Sequence, residues 1–134
     1  MRGEIDLQKL VTSLSPILID GEYVFCTFPK AKYGDYLDLE PIAMIRELEG
    51  LTLVIPKNKA DEKSLHYESV FKGITLSVYS SLDAVGLTAA FATKLGEHGI
   101  SANVIAGYYH DHIFVQKNLA DKAIDALNEL ARQQ

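Results

Sequence analysis

The 134-residue sequence contains one cysteine, Cys26, and no tryptophan. A single thiol cannot form an intramolecular disulfide, which favours a reducing compartment. Basic residues are also in deficit, with 13 Lys and Arg against 18 Asp and Glu. The resulting net charge of −5 repels phosphate backbones and argues against a nucleic-acid partner.

Long hydrophobic runs are missing as well. No apolar segment approaches the roughly 20 residues that cross a bilayer. The opening segment MRGEIDLQKL lacks the apolar stretch of a signal peptide. We therefore expect a cytoplasmic protein with no membrane partner, and the 48% hydrophobic content predicts a packed core.

The motifs of the common enzyme classes are not found either. The sequence has no G-x-S-x-G, Walker-type loop or metalloprotease pattern. Cys26 lies in the apolar segment YVFCTF, where a free cysteine behaves as a small hydrophobe, and no neighbouring base lowers its pKa. We therefore expect no catalytic residues, no enzyme activity and no cofactor.

Two histidines flank an aspartate in GYYHDHIFV, residues 107–115, and this pattern suggests a metal site. In a strand, His110 and His112 would face the same way. However, Asp111 also suits a tight turn, and a turn between two antiparallel strands would separate the imidazoles. No third ligand is apparent. We interpret His110-Asp111 as a solvated hairpin turn and expect no metal site.

The first half of the chain predicts five elements. Leucine and valine at helical spacing predict a helix over 4–14. Asp20-Gly21 predicts a hairpin between strands at 16–19 and 22–28. A polar loop, PKAKYGDYLDLE, follows.

Two more elements complete that half. A short helix is predicted between Pro41 and Gly50, and its apolar side consists of Ile42, Met44, Ile45 and Leu48. The segment LTLVIP is predicted to be a buried strand. Charged residues 57–68, with a helical turn at 59–63, are the predicted boundary between the two halves.

The second half predicts the order β-α-β-β-α. The strand VFKGITLSVYS leads into a helix that Asp83 is predicted to cap and Gly99 to end. The inward stripe of that helix is predicted to be Val85, Thr88, Ala89, Ala92 and Leu95. ISANVIAGYY and HIFVQ are predicted strands, and Asn118 is the predicted N-cap of a final amphipathic helix. Its predicted apolar face is Ala120, Ala123, Ile124, Leu127, Leu130 and Ala131.

These orders match two βαββαβ units that each lack one terminal strand. The sequence therefore predicts an α+β fold of two ferredoxin-like units, with antiparallel sheets and helices packed on one face. The predicted units are residues 1–68 and residues 69–134. Strands shared or exchanged between the units would supply the missing ones, and the sequence leaves open whether that happens within or between chains.

Gly86 is predicted to lie in the first turn of the helix after Asp83. A glycine there costs roughly 1 kcal/mol of helix stability against alanine, so it indicates a close approach by a backbone or a ligand. Free N–H groups at a helix start can bind a carboxylate. A packing glycine under a neighbouring strand is an equally good interpretation.

The segment LDAVGLTAAFATKLGEHGISANVIAG resembles an ACT domain. In that family a strand leads into a turn with the pattern D-x-x-G and a nearby leucine, then a helix ending in Gly, then I-x-x-N-V or I-x-x-N-I. The matching positions are Asp83, Gly86, Leu87, Leu95, Gly99, Ile100, Asn103 and Val104. Many members have Pro where this chain has Val85. The resemblance covers about residues 70–131, and the first half is similar to the leading unit of small stand-alone two-unit proteins.

The resemblance implies a regulatory module that binds an amino acid or a similar small molecule, often across a homodimer. The positions it implies for the ligand are Asp83, Ala84, Val85, Gly86 and Leu87 in the turn, and Asn103, Val104, Ile105 and Ala106 on the facing strand. Gly86→Val is expected to fill the ligand space and leave the helix mostly intact. The alternative interpretation is an assembly module without a ligand.

Overall fold

The computed structural model describes residues 6–77 and 85–132. The helices are α1 (Leu7–Thr12), α2 (Lys57–Glu62), α3 (Leu87–Glu97) and α4 (Ala120–Arg132), with 3₁₀ turns at Leu37–Leu39 and Lys117–Leu119. The strands are β1 (Pro16–Leu18), β2 (Tyr23–Phe28), β3 (Ala43–Glu47), β4 (Gly50–Pro56), β5 (Phe71–Leu76), β6 (Asn103–Ala106) and β7 (Asp111–Gln116). The fold is α+β with antiparallel pairing, as predicted.

Contacts divide the chain into two compact units. The split unit consists of residues 1–20 and 72–134, and the inserted unit consists of residues 21–71. The predicted boundary after residue 68 falls close to the end of the inserted unit. Residues 6–20, however, pack with the C-terminal part of the chain. The division into sequence units 1–68 and 69–134 stays a prediction.

The split unit has the strand order β1–β5–β7–β6. With β1 taken as the last strand, this is the order of a ferredoxin-like βαββαβ unit. The missing strand is thus supplied within the chain, because β1 pairs antiparallel with β5 at Ile17↔Thr75. The helices pack on one face of this sheet around a core that includes Leu10, Ile74, Phe91, Ile113 and Leu127.

The inserted unit has the order β3–β4–β2, and Phe71 at the start of β5 pairs with Tyr23 of β2. This is again a ferredoxin-like order. Alternate residues of its strands point to one face and form a second core with Leu39 and Ala60 of the covering segments. The first crossover contains only the 3₁₀ turn Leu37–Leu39.

Two predictions in the first half were wrong. The segment predicted as a helix from Pro41 to Gly50 forms β3 and the start of β4, with Glu47 paired to Gly50. Its apolar residues fit both the helical and the strand spacing, and hydrogen-bonded pairing with β4 favours the strand. Asp20-Gly21 does not close a hairpin, because β1 pairs with β5 and β2 pairs with β4. Local turn chemistry was present, but the strands on either side belong to different units.

The inward stripe of α3 was predicted correctly at Ala92 and Leu95 and wrongly at its other positions. The buried residues are Leu87, Phe91, Lys94 and Leu95, whereas Thr88 and Ala89 are exposed and Val85 lies before the helix. The helix begins later than predicted, and its largest apolar side chains set the buried face. The end was predicted correctly. Gly99 has φ +72°, and the Ile100 N–H donates to the Leu95 carbonyl at 3.0 Å in a Schellman arrangement.

The last helix follows its predicted pattern closely. Ala120, Ala123 and Leu127 are buried, and Ile124 and Leu130 pack against the same core. Its start differs from the prediction, since Asn118 lies inside the 3₁₀ turn Lys117–Leu119 and α4 begins at Ala120.

Candidate functional site

The turn before α3 is built around Gly86. This residue is the N-cap of α3 with φ +98°, and its carbonyl accepts from the Ala90 N–H at 2.9 Å. The sequence had predicted Asp83 as the cap and Gly86 inside the first turn, and both placements were wrong. A glycine takes the cap position because the chain needs a left-handed conformation there. Asp83 and Ala84 lie outside the described residues.

The close approach predicted at Gly86 exists, and its partner is a side chain of α1. A Cβ added to Gly86 would lie 3.0 Å from Leu7 Cδ2. The expectation that Gly86→Val leaves the helix intact is therefore wrong, because a β-branched residue would combine positive φ with this contact. Val85, just before it, is 83% exposed and is a better position for a test substitution.

The predicted facing strand is β6, at the end of the split unit's sheet. Asn103 Nδ2 donates to the Phe114 carbonyl at 3.0 Å, so one donor of this amide already serves the sheet. Val104 packs against the helix-covered core. Ile105 alternates to the other face, and Ala106 is exposed.

The structure thus brings some of the predicted residues together and separates others. Leu87 and Val104 share the core of the split unit. Asn103 and Ile105 lie on the opposite face of β6 from Val104. The role of these positions in ligand binding stays a prediction.

The His-Asp-His segment spans the end of a hairpin loop and the start of β7. The hairpin loop is Gly107–His110, with the Gly107 N–H donating to the His110 carbonyl at 2.9 Å, and Asp111 pairs with Ala106. His112 Nδ1 lies 3.0 Å from Thr75 Oγ1. The predicted hairpin between antiparallel strands is confirmed, with His110 in its loop. Asp111 belongs to β7, and His110, Asp111 and His112 are half-buried, so the predicted extent and solvation of the turn are wrong.

Burial controls the acid–base behaviour of this segment. Desolvation, and then the charge of His110, lowers the pKa of His112, while Asp111 opposes the shift. Desolvation raises the pKa of Asp111, and the two histidines oppose it. Within residues 6–77 and 85–132, no group of three or more His, Cys, Asp or Glu side chains could hold a metal ion.

A cavity that sequence reasoning missed lies in the inserted unit. It has a volume of about 410 Å³ and is lined by Thr27, Phe28, Pro29, Lys30, Ala31, Asp35 and Tyr36. The sequence predicted this segment only as a polar loop. The aromatic and charged residues of this loop match no ligand-binding motif, so the sequence alone did not indicate the cavity.

No helix in the described part of the chain is long and apolar enough to cross a bilayer. Profiles described as ACT domain match residues 2–72 and residues 68–129. No curated protein matches the chain.

Solved structures give further likenesses. A Vibrio cholerae protein of unknown function, called a possible transport protein, is 61% identical with a TM-score of 0.86, over 93% of this chain and 95% of that one. An Agrobacterium tumefaciens protein is 16% identical with a TM-score of 0.73, over 88% and 89%. The regulatory subunit of aspartate kinase from Thermus flavus is 9% identical with a TM-score of 0.62, over 87% and 96%. The last two are likenesses of fold.

Proposed function

The chain belongs to the ACT-domain family, and from that premise we propose that it is a non-catalytic regulatory protein that binds a small molecule, specifically an amino acid. The observation that carries the proposal is that ACT-domain profiles match both halves of the chain. The fold likeness to a regulatory subunit of aspartate kinase is compatible with it.

The proposed ligand site consists of the turn at residues 83–87 and β6. Gly86 is the N-cap of α3 and has no side chain that could accept from the opening N–H groups. A carboxylate is the group that the opening N–H groups and the helix dipole favour there. Because Asn103 and Ile105 face away from the helix core of their own unit, their proposed role requires a partner on that face.

A homodimer is the assembly that we propose. Large apolar side chains remain exposed on several described strands, including Ile17 (52%) on β1 and Ile45 (44%) on β3. Strands with apolar residues on both faces favour a second copy as cover. Sedimentation velocity is expected to show a dimer at micromolar concentration, and a strict monomer at high micromolar concentration would contradict this part.

Binding can be tested by thermal shift with each of the twenty standard amino acids. A sensor gains thermal stability with a specific ligand by mass action. An assembly module without a ligand would show no selective gain, and that result would favour the alternative function.

The site can be tested with Val85→Glu and the matched control Thr93→Glu. Both positions are exposed, so the fold tolerates the change, and both variants add one negative charge. Charge at the turn should repel a ligand carboxylate, whereas charge at position 93 lies farther along α3. Calorimetric titration with the best amino acid should show weakened binding only for Val85→Glu. Unchanged binding in both variants would place the site elsewhere.

A further inference from the structure

The loop of the β6–β7 hairpin closes around a glycine. The Gly107 N–H donates to the His110 carbonyl at 2.9 Å. A Cβ built on Gly107 would lie 3.0 Å from that carbonyl oxygen and 3.2 Å from Nε2 of His112. Both distances are shorter than an ordinary van der Waals contact, so a glycine allows the loop and the ring to approach this closely. The ring of His112 therefore packs directly against the closed loop.

The other ring nitrogen of His112 contacts a neighbouring strand. His112 Nδ1 lies 3.0 Å from Oγ1 of Thr75 in β5. Ile113 and Val115 point into the helix-covered core, so His112 lies on the opposite face of β7. The two nitrogens of one imidazole thus connect the hairpin loop to the middle of the sheet.

A second histidine of the loop leaves a polar atom unsatisfied. The Nδ1 atom of His110 is buried and has no hydrogen-bond partner among the described residues. Tyr108 and Tyr109, in the same loop, are 64% and 61% exposed, so closing the loop buries little of either ring. A buried polar atom without a partner destabilises the closed loop, because the same atom would bind water once the loop opened.

Few charges lie near the His112 ring. Thr75 of β5 and Ile105 of β6, the residues beside it on the neighbouring strands, are uncharged, and the helices cover the other face of the sheet. Among the described residues, the titratable groups that act on it are His110 of the loop and Asp111 of its own strand. Desolvation, and then His110, lower the pKa of His112, and Asp111 opposes the shift. The closed hairpin therefore binds a proton on His112 less readily than an open one.

Protonation changes the hydrogen bonds that this ring requires. Neutral imidazole carries one N–H group, whereas imidazolium carries two. Thr75 can serve Nδ1, so the N–H at Nε2 has to be satisfied on the side of Gly107. There it competes with the Gly107 N–H for the His110 carbonyl, or it requires water where Gly107 lies. Both outcomes weaken the hydrogen bond that closes the loop.

Strand β6 depends on this loop. In the described part of the split unit, β6 is an edge strand and pairs only with β7. Its four residues are paired from Asn103↔Phe114 to Ala106↔Asp111, so Ala106 lies next to the loop. Opening the loop therefore releases the Ala106 end of β6 first.

We propose that the β6–β7 hairpin is a proton-sensitive element, in which protonation of His112 breaks the hydrogen bond between Gly107 and His110 and frays β6 from Ala106 inward. The element responds in mildly acidic solution, where histidine takes up its proton. Because β6 carries positions proposed for the ligand, acid should also weaken amino-acid binding. Only this last consequence rests on the proposed function.

The test is amide hydrogen exchange of the ¹⁵N-labelled full chain at pH 7.5 and 5.5, with protection factors corrected for the intrinsic pH dependence of exchange. The Gly107 amide reports on the loop, and the Ala90 amide, bonded to the Gly86 carbonyl, reports on α3. The protection of Gly107 should fall severalfold at pH 5.5. Linkage limits the fall to about tenfold one unit below the ordinary histidine pKa of about 6.5. The protection of Ala90 should change less.

His112→Asn and His112→Gln both remove the proton site and keep a polar side chain beside Thr75, so in either variant the protection of Gly107 should no longer depend on pH. His66→Asn is the matched control, because the side chain of His66 is 83% exposed and belongs to the inserted unit. It should respond to pH as the wild type does. A response that persists in the His112 variants, or that disappears equally in His66→Asn, would overturn the proposal.

The thermal-shift screen with the standard amino acids, repeated at pH 5.5, tests the consequence for binding. Stabilisation found at pH 7.5 should shrink at pH 5.5 in the wild type and persist in His112→Asn. A screen without a hit at either pH would contradict the proposed function and leave the hairpin proposal standing. Equal stabilisation at both pH values, together with unchanged protection of Gly107, would overturn the hairpin proposal and leave the proposed function standing.

Discussion

The two units share a strand order but differ in the segment that follows their first strand. In the split unit the first crossover contains an α-helix of 11 residues, whereas in the inserted unit it contains a 3₁₀ turn of 3 residues. The long helix contributes Phe91 and Leu95 to a core that also takes in α1 and α4. The short turn contributes Leu39 to the core of its unit, and most residues of the loop before it are exposed. The same topology therefore supports a crossover that a helix packs onto the core in one unit and a mostly exposed loop in the other.

Replacing the buried aromatic residue of α3 should have the largest effect on the free energy of unfolding. Phe91 is fully buried in the core of the split unit. Phe91→Ala should lower the free energy of unfolding by about 3–5 kcal/mol, the usual range for a buried phenylalanine. Phe28→Ala should cost less, because one face of Phe28 stacks on the partly exposed Tyr36. Urea denaturation measures both, and a greater loss for Phe28→Ala would contradict the comparison.

Alanine substitutions at two glycines with positive φ, one in each unit, compare the units through the backbone. At Gly50, φ is +145°, and a Cβ would lie 2.6 Å from Pro29 Cα and 2.7 Å from the Phe28 carbonyl oxygen. Main-chain atoms cannot move away cheaply, so Gly50→Ala should cost about 3 kcal/mol or more. Gly86→Ala meets only the end of Leu7 at 3.0 Å and should cost about 1–2 kcal/mol.

Gly96→Ala is the control for these glycines. Gly96 lies inside α3, and no atom lies within 4 Å of an added Cβ. Alanine should therefore stabilise the protein by about 0.5–1 kcal/mol, since it favours the helix. Chemical denaturation of the three variants gives the ranking, and a similar loss at Gly50 and Gly86 would contradict the steric argument.

The ion pair between α3 and α4 should have a smaller effect. Lys94 Nζ donates to Glu129 Oε1 at 2.8 Å, and this hydrogen bond is the main reason that the pKa of Glu129 is lowered. A lowered carboxyl pKa gives stability above the unfolded value that is lost as the pH falls through the folded value. Lys94→Met should remove the loss of stability that the Glu129 carboxyl causes below about pH 4.5. The exposed control Lys122→Met should keep that loss. Thermal unfolding between pH 7 and 3 compares the two.

His112, in the split unit, should have the smallest effect. Its titration makes the stability of the protein depend on pH. Its pKa is lowered in the folded state, so the unfolded chain binds protons more readily below about pH 6.5. Stability should therefore fall as the pH drops below that value. The raised pKa of Asp111 has the opposite effect on stability. At pH values just above 3.8 the folded protein binds this proton more readily than the unfolded chain, so stability rises there as the pH falls. His112→Asn can keep the contact with Thr75 and should flatten the melting temperature between pH 7.5 and 5.5. An unchanged slope would show that other groups cause it.

Local signals predicted the C-terminal end of α3 and the buried face of α4 well. Gly99 ends α3 because the left-handed conformation is available to glycine at low cost, and this depends on a few neighbouring residues. The buried face of α4 follows from apolar spacing alone. The candidate turn around Gly86 was found from its glycine, although its exact place at the helix start and its contact with Leu7 were not.

The sequence by itself determined the α+β composition, the β-α-β-β-α order of the second half and the ACT-domain resemblance, because periodicity, glycine positions and short motifs are properties of neighbouring residues. Only the tertiary structure decided that β1 pairs with β5, that residues 41–50 are extended, and that Lys30, Asp35 and Tyr36 line a cavity. Each of these depends on which distant segment supplies a hydrogen-bond ladder or leaves a space unfilled. Short apolar segments fit more than one such partner, so pairing and packing made the choice.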